Sequence, residues 1–515
     1  MNSIDYELPS VFNVAAYFVE GNLHRGNGSK VALYHQDDTY TFQNVFTNVR
    51  RAAGLLSELG LERENRIAIL LPDSPDFVFA FWGAIWLGAV PVPINTSCTV
   101  EDIQYILQDS RAKVLLTNHS WQEKLAPIQS SFLRHVLLVD GDQPFNVQLT
   151  QQNKELHPAE TARDEPAFWL YTSGTTGRPK GVIHLHKSMV VCTEQYGKAT
   201  LGLQKDDITY SVAKMPFAYG LGNTLYMPMA VGAATVLSDA NNAFDIVADI
   251  HRYRPTLLFG IPAIYSSLLA VKDISPLDTS SLRLCLSAAE QLPKSIWHKW
   301  LETYGHEICE GIGTSEFLHI FLSNRLGECR PGSCGKPVPG YDVRVVDEDG
   351  KTVPDNEIGS LQVGGDSLML GYWNRHRETR EVIYGNTMRT GDKYLRDADG
   401  YFWFMGRKDD FFKVSGQWVS PFEIEDVLLQ HESVLDAAVV PDSDAGEHLT
   451  TAIAYITLKS GFSKSPALED SIRKFVKSQL PHFKAPKTLH FLEQLPRTST
   501  GKINRKALTK THQLV

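Results

Sequence analysis

Short apolar runs, each following an amphipathic stretch, recur through most of the chain, and that alternation restricts it to layered α/β architecture. Arg66-Ile-Ala-Ile-Leu-Leu, Lys113-Val-Leu-Leu-Thr, His135-Val-Leu-Leu-Val and Thr256-Leu-Leu-Phe-Gly are such strand-like runs. Residues 42–59 carry apolar side chains at helical spacing, and Gly60 lies just beyond as a cap. At 515 residues the chain exceeds what one hydrophobic core organises, so two or more domains are expected. No internal repeat or low-complexity tract interrupts the pattern.

Residues 77–94 form an 18-residue stretch without a charged side chain, just long enough to suggest a membrane span. Gly88, Pro91 and Pro93 break it, and it reads as a core helix followed by a short strand. No membrane partner is expected. The first eight residues hold two acids and no base, which predicts no secretory signal. A net charge of -9 opposes a nucleic-acid partner, whose phosphates require a basic face. Six cysteines lack the close paired spacing of a zinc site and, in so long a chain, read as reduced thiols of a cytoplasmic protein.

From about Gly332 the texture changes to short strands and tight turns: Tyr341-Asp-Val-Arg-Val-Val, the turn Asp347-Glu-Asp-Gly, then Ser360-Leu-Gln-Val. A polar junction follows at Gly406-Arg-Lys-Asp-Asp. In the tail, residues 421–431 and 467–480 read as helices, and Ala437-Ala-Val-Val and Thr451-Ala-Ile-Ala-Tyr-Ile as strands. The expected fold class is α/β: a large N-terminal domain of layered α/β sheets over residues 1–408, with a β-rich subdomain, and a small α+β C-terminal domain over 409–515. A large domain joined to a small one suggests a hinged cleft.

The segment Tyr171-Thr-Ser-Gly-Thr-Thr-Gly-Arg-Pro-Lys180-Gly has the chemistry of a phosphate cradle. Gly174 and Gly177 allow close backbone approach, the hydroxyls of Thr172, Ser173, Thr175 and Thr176 donate to phosphate oxygens, and Lys180 supplies charge. It is not the Walker A pattern, because Arg178 and Pro179 separate the glycine from the lysine. Composition alone would also allow a plain surface loop.

This loop is followed by Gly311-Ile-Gly-Thr-Ser-Glu316, Arg389-Thr-Gly-Asp392, Gly406-Arg407-Lys-Asp409-Asp410 and Pro496-Arg-Thr-Ser-Thr-Gly-Lys502. In that order they resemble the signature set of the adenylate-forming enzymes: acyl-CoA synthetases, adenylation domains of peptide synthetases and firefly luciferase. Ala167-Phe-Trp-Leu-Tyr, Phe217-Ala-Tyr-Gly-Leu-Gly-Asn223, Leu318-His-Ile-Phe-Leu-Ser-Asn324 and Lys413-Val-Ser-Gly-Gln-Trp-Val-Ser-Pro421 extend the likeness, most of all to benzoate-CoA ligases.

The resemblance implies an enzyme that activates an aromatic acid with ATP and Mg²⁺ as an acyl-adenylate and passes the acyl group to coenzyme A. It assigns Glu316 to the metal and Thr314 to the α-phosphate, Asp392 to the ribose hydroxyls, Arg407 to the ribose and phosphate, and Ala289 and Glu290 to the nucleotide side of the site. Asp409 matches the hinge of a mobile C-terminal domain, Lys502 the adenylation lysine, and Ser415, Gly416 and Trp418 the face that guides the thiol. Taken singly, Glu316, Asp392 and Asp409 would read as loop or surface charges. Charge gives Lys502 its rationale: a carboxylate and a phosphate, both anionic, must meet, and an ammonium between them offsets the repulsion.

The resemblance lines the acid pocket with Phe217, Ala218, Tyr219 and Gly220, and with Phe259, Gly311, Ile312 and His319. Such a lining suits a flat ring and offers no carboxylate for an amino-acid ammonium. A lone histidine such as His319 would otherwise read as a hydrogen-bonded core residue. One departure stands at Ser287-Ala-Ala-Glu290, where the relatives usually read Ser-Ala-Gly-Glu. The added methyl of Ala289 narrows the pocket or shifts the ring, which leaves hydroxy- and aminobenzoates open beside benzoate. His184 and His186 have no third ligand at metal spacing, and the basic residues around 502–510 read as a solvated tail. Two alternatives stand beside the synthetase: a stand-alone enzyme loading an acyl carrier protein, and a non-catalytic nucleotide-binding protein. The oligomeric state is left open, a homodimer among the alternatives.

Overall fold

The computed structural model describes residues 7–126, 130–154, 156–172, 178–407, 411–414, 417–442, 451–459, 461–497 and 503–512. The apolar stretch at 77–94 shows how local signals set the architecture. Ser74 accepts a hydrogen bond from the Phe77 N–H at 3.3 Å and Pro75 opens the helix Pro75–Trp86. Gly88, at φ +79°, turns the chain out of it, with its N–H on the Ile85 carbonyl and that of Ala89 on the Ala84 carbonyl. The strand Val90–Pro93 follows, and its two prolines are tolerated because it forms an edge. Apolar all round, the helix is interior: Trp82 and Trp86 are buried.

Among the described residues the largest sheet has nine strands, in the order Lys336–Pro337, Ile320–Ser323, Ile308–Gly313, Leu284–Ser287, Leu257–Gly260, Ile208–Ser211, Ala234–Leu237, Val31–His35 and Asp38–Thr41. The strands from Ile308–Gly313 through Val31–His35 run parallel, and antiparallel partners close both edges. Leu257, Phe259, Leu284 and Leu286 point into one core, Leu258 and Cys285 into another on the opposite face. Burial on both faces is why these strands read as continuous apolar runs.

A second parallel sheet has the order Val90–Pro93, Arg66–Ile69, Val114–Thr117 and His135–Leu138. Its Ile67, Ile69, Val114 and Leu116 share a core with Phe259 and Leu286, and with residues of the helices Phe42–Glu58 and Pro75–Trp86. That core therefore lies between the two sheets, with both helices sandwiched in it. Beyond Gly332 comes the expected β-rich part, an antiparallel sheet of Asp342–Val346, Gly359–Gly364, Thr387–Arg396, Ile383–Tyr384 and Phe402–Arg407.

The tail has its own core, built on the helices Pro421–Leu429 and Pro466–Gln479 and the strands Val434–Asp442, Thr451–Leu458 and Thr488–Phe491. Inside it the buried Glu425 carboxylate pairs with Arg505 at 2.6 Å. It meets the β-rich part where the Ser420 hydroxyl donates to the Met405 carbonyl and the Phe404 and Phe422 rings lie 5.0 Å apart. A large α/β unit with a small α+β unit thus follows the expected fold class. No helix among the described residues is long and apolar enough to cross a membrane.

Candidate active site

Phe259, Ala289, Glu290, Gly311, Ile312, Thr314 and Glu316 lie at or just beyond the carboxyl ends of parallel strands, where open α/β sheets leave a crevice. Strand Pro166–Thr172 pairs antiparallel with Lys180–Leu185, and Thr172 faces Lys180 across the ladder. The phosphate-loop residues Ser173, Gly174, Thr175, Thr176 and Gly177, which join these strands, lie outside the described residues. Lys180 sets its ammonium 5.0 Å from the centre of the Tyr372 ring. Tyr372 is held beside it because Gly371–Tyr372 forms a third strand against Lys180–Leu185.

Glu316 reaches the same tyrosine from the main sheet. After Ile308–Gly313 the chain extends through Thr314, makes the turn Ser315–Phe317, and returns as Ile320–Ser323. Gly313 makes this hairpin possible, since a Cβ there would sit 2.1 Å from the His319 carbonyl oxygen. The turn aims the Glu316 carboxylate at Tyr372, whose hydroxyl donates to Oε1 at 2.6 Å. Burial and the Glu316 charge push the Tyr372 hydroxyl far above its usual pKa, against a smaller opposite pull from Arg407. The Thr314 hydroxyl oxygen is buried without a partner among the described residues. His184 supports the turn: its Nε2 lies 2.7 Å from the Ser315 carbonyl, and burial lowers its pKa to about 4, so it is a neutral donor.

Asp392 and Arg407 face each other across the Thr387–Arg396 and Phe402–Arg407 strands, with Arg407 Nε donating to Asp392 Oδ1 at 3.1 Å. The carboxylate and the arginine thus come preassembled. Ala289 and Glu290 follow the Leu284–Ser287 strand at the same carboxyl end, with Ala289 held at φ +74°.

The acid-pocket residues also converge. Phe259 ends one parallel strand, Gly311 and Ile312 end another, and residues 217–220 cap the same crevice. The Tyr219 ring centre is 6.1 Å from that of Phe259 and 5.7 Å from that of His319. His319 lies 5.1 Å from Tyr196 as well, and burial lowers its pKa to about 3, so the imidazole is neutral. Phe217 is about one-third exposed at the rim, while Phe259 is buried at the floor.

Residues 22–373 match the model of the family described as AMP-binding enzyme, and residues 423–502 match that of the AMP-binding enzyme C-terminal domain. The chain belongs to the AMP-binding enzyme family. It is 41% identical to a 4-hydroxybenzoate-CoA/benzoate-CoA ligase of Rhodopseudomonas palustris, over 96% of this chain and 93% of the relative. It is 38% identical to a benzoate-CoA ligase of Thauera aromatica, over 97% and 96%. A crystal structure of an anthranilate CoA ligase with anthranoyl-AMP superposes at a TM-score of 0.93 and 38% identity, covering 98% of each chain.

In this AMP-binding enzyme Lys180, Glu316 and Arg407, each on a sequence motif, neighbour Tyr372, which the motifs did not single out and which sits in the short strand Gly371–Tyr372, 56 positions from Glu316. Asn223 was legible only as part of a likeness segment; it is fully buried beside Tyr219. Lys502, Asp409, Ser415 and Gly416 lie outside the described residues, and only the backbone of Trp418 is described, in the hairpin of Phe412–Val414 with Gln417–Val419. His186 is structural, its Nδ1 accepting the Val14 N–H at 3.1 Å. Among the described residues no three His, Cys, Asp or Glu side chains gather as a metal cage. Glu316 alone suits Mg²⁺, which takes one or two carboxylates and completes its shell with phosphate oxygens and water.

Proposed function

We propose that this AMP-binding enzyme is an aryl-CoA synthetase, which joins benzoate or a substituted benzoate to coenzyme A at the cost of ATP. One observation carries the reading: Lys180, Glu316 and Arg407 with its partner Asp392 surround Tyr372, next to a neutral aromatic pocket at the same strand ends. The relatives named for benzoate and hydroxybenzoate support it, as does the ligase solved with an aroyl-adenylate.

In the first half-reaction an acid oxygen attacks the α-phosphorus of ATP, forming the aroyl-phosphate bond as pyrophosphate leaves. Lys180 and the phosphate loop hold the triphosphate, Thr314 donates to the α-phosphate, and Asp392 accepts from the ribose hydroxyls. Glu316 would hold Mg²⁺, which would supply charge neutralisation at the phosphates. Lys502 offsets the charge between acid and phosphate. In the second half-reaction the thiolate of coenzyme A attacks the acyl carbon, the thioester forms and AMP leaves. We place the domain boundary at 408/409 with Asp409 as hinge, so that the small domain brings first Lys502 and then the face around Ser415, Gly416 and Trp418 to the site. The six free cysteines fit the reducing cytoplasm.

The test is acid-dependent exchange of labelled pyrophosphate into ATP over benzoates, cinnamates and fatty acids. Exchange confined to aromatic acids, followed by thioester formation with coenzyme A, is expected. Absence of exchange with every aromatic acid overturns the reading, and turnover with a carrier protein but not with coenzyme A reassigns the acceptor.

A further inference from the structure

We propose that the inner end of the acid pocket, at Asn223, Tyr219 and His319, is a hydrogen-bonding subsite for a neutral hydroxyl or amino group on the ring of the acid. The inference rests on the aryl-CoA synthetase reading and narrows its substrate class. Its basis is a concentration of buried polar atoms without partners. Both amide atoms of Asn223, the Tyr219 hydroxyl and both ring nitrogens of His319 have no hydrogen-bond partner among the described residues. The Tyr219 hydroxyl and the Asn223 amide adjoin each other without a well-directed bond, and the His319 ring lies within reach of the Tyr219 backbone on the same terms. Asn223 is fully buried and His319 is 2% exposed.

Folded proteins pair nearly all such atoms, and a buried amide left unpaired on both sides is unfavourable. Several unpaired groups on neighbouring rings of one pocket point to a partner that arrives with the ligand. The packing also holds them in place. Gly222 brings the helical segment so near that a Cβ there would lie 2.4 Å from His319 Cδ2, so that side of the imidazole packs against backbone. The groups together offer both donors and acceptors: the Asn223 amide has each, and a neutral imidazole has one of each. A hydroxyl or an amino group, itself donor and acceptor, matches that set.

The subsite is selective about charge as well. Burial drives the Tyr219 hydroxyl well above and His319 well below their usual pKa values, so both are neutral at physiological pH. No carboxylate or ammonium among the described residues stands with them, so a second carboxylate or an ammonium on the ring would enter uncompensated.

Wild-type enzyme decides the matter without a variant. Pyrophosphate exchange is measured with benzoate, with the three hydroxybenzoates and three aminobenzoates, and with the methylbenzoate matched to each in shape. A site built to bond a hydroxyl or amino group rejects the isostere that lacks it, so for at least one ring position kcat/KM should exceed that of the methyl analogue by about tenfold or more. N223L, close in volume, should bring that ratio near one. Methylbenzoates and benzoate equal to the polar acids at every position would overturn the subsite and leave the synthetase reading intact. No exchange with any of the acids would overturn both.

Discussion

Tyr372 joins two charges that arrive on different elements, and its two contacts can be separated. Tyr372→Phe keeps the ring beneath Lys180 and removes the hydroxyl that orients Glu316. A hydrogen bond to a charged group contributes about 1.5–3 kcal/mol, so pyrophosphate exchange should fall roughly tenfold or more, with the Mg²⁺ concentration for half-maximal rate raised. Titrating exchange against Mg²⁺ checks this, and a variant that follows the wild-type curve throughout removes the positioning role. Ala289 presents a different case. Its φ of +74° lies in the left-handed region, which costs a residue bearing a Cβ about 1–2 kcal/mol. Ala289→Gly, which removes that Cβ, should stabilise the fold by about 1 kcal/mol in denaturant unfolding. Tighter binding of bulkier ring acids by the same variant would show that the methyl group narrows the pocket.

At the scale of elements, the strand Ile308–Gly313 carries both site residues and a buried acid. Glu310 accepts the Leu292 N–H at 3.0 Å, and burial raises its pKa to about 8. Unfolded, it titrates near 4.5. Between these values the folded state keeps a proton that the unfolded state has released, so stability falls as pH rises from about 5 to 8. Glu310→Gln retains the acceptor and cannot ionise, so its Tm should gain steadily on the wild type across that window and hold the gain above it; parallel Tm profiles would contradict this. The helix Pro75–Trp86 makes a simpler prediction: Trp82→Ala should cost about 3–5 kcal/mol, measured by denaturant unfolding. These two elements also show where sequence is legible. Helix and strand at 77–94 could be read because Gly88, Pro91 and Pro93 act within a few residues. The turn before Glu316 could be read for the same reason, Gly313 being required locally; the phosphate-loop glycines lie outside the described residues. Tyr372 with Glu316 could not, because that pairing is made by packing between segments far apart in the chain and no local spacing encodes it.

At the scale of the molecule, the small unit should control one half-reaction more than the other. Lys502→Ala should lower pyrophosphate exchange by about 10²-fold or more, as loss of a group that stabilises transition-state charge does. Transfer to coenzyme A from a preformed aroyl-adenylate should stay within a few-fold of wild type. Equal loss in both assays, read by single-turnover kinetics, would assign the lysine to folding or to general binding instead. The large sheet has a consequence of its own. Leu33 pairs with Thr235, so the hairpin Val31–His35 with Asp38–Thr41 joins a strand made about two hundred residues later. At ribosomal rates of about 5–20 residues per second, its apolar face waits some 10–40 s for a partner. Yield in a recombinant host should therefore depend on chaperones that shield nascent chains, and slowing translation before residue 234 should worsen aggregation.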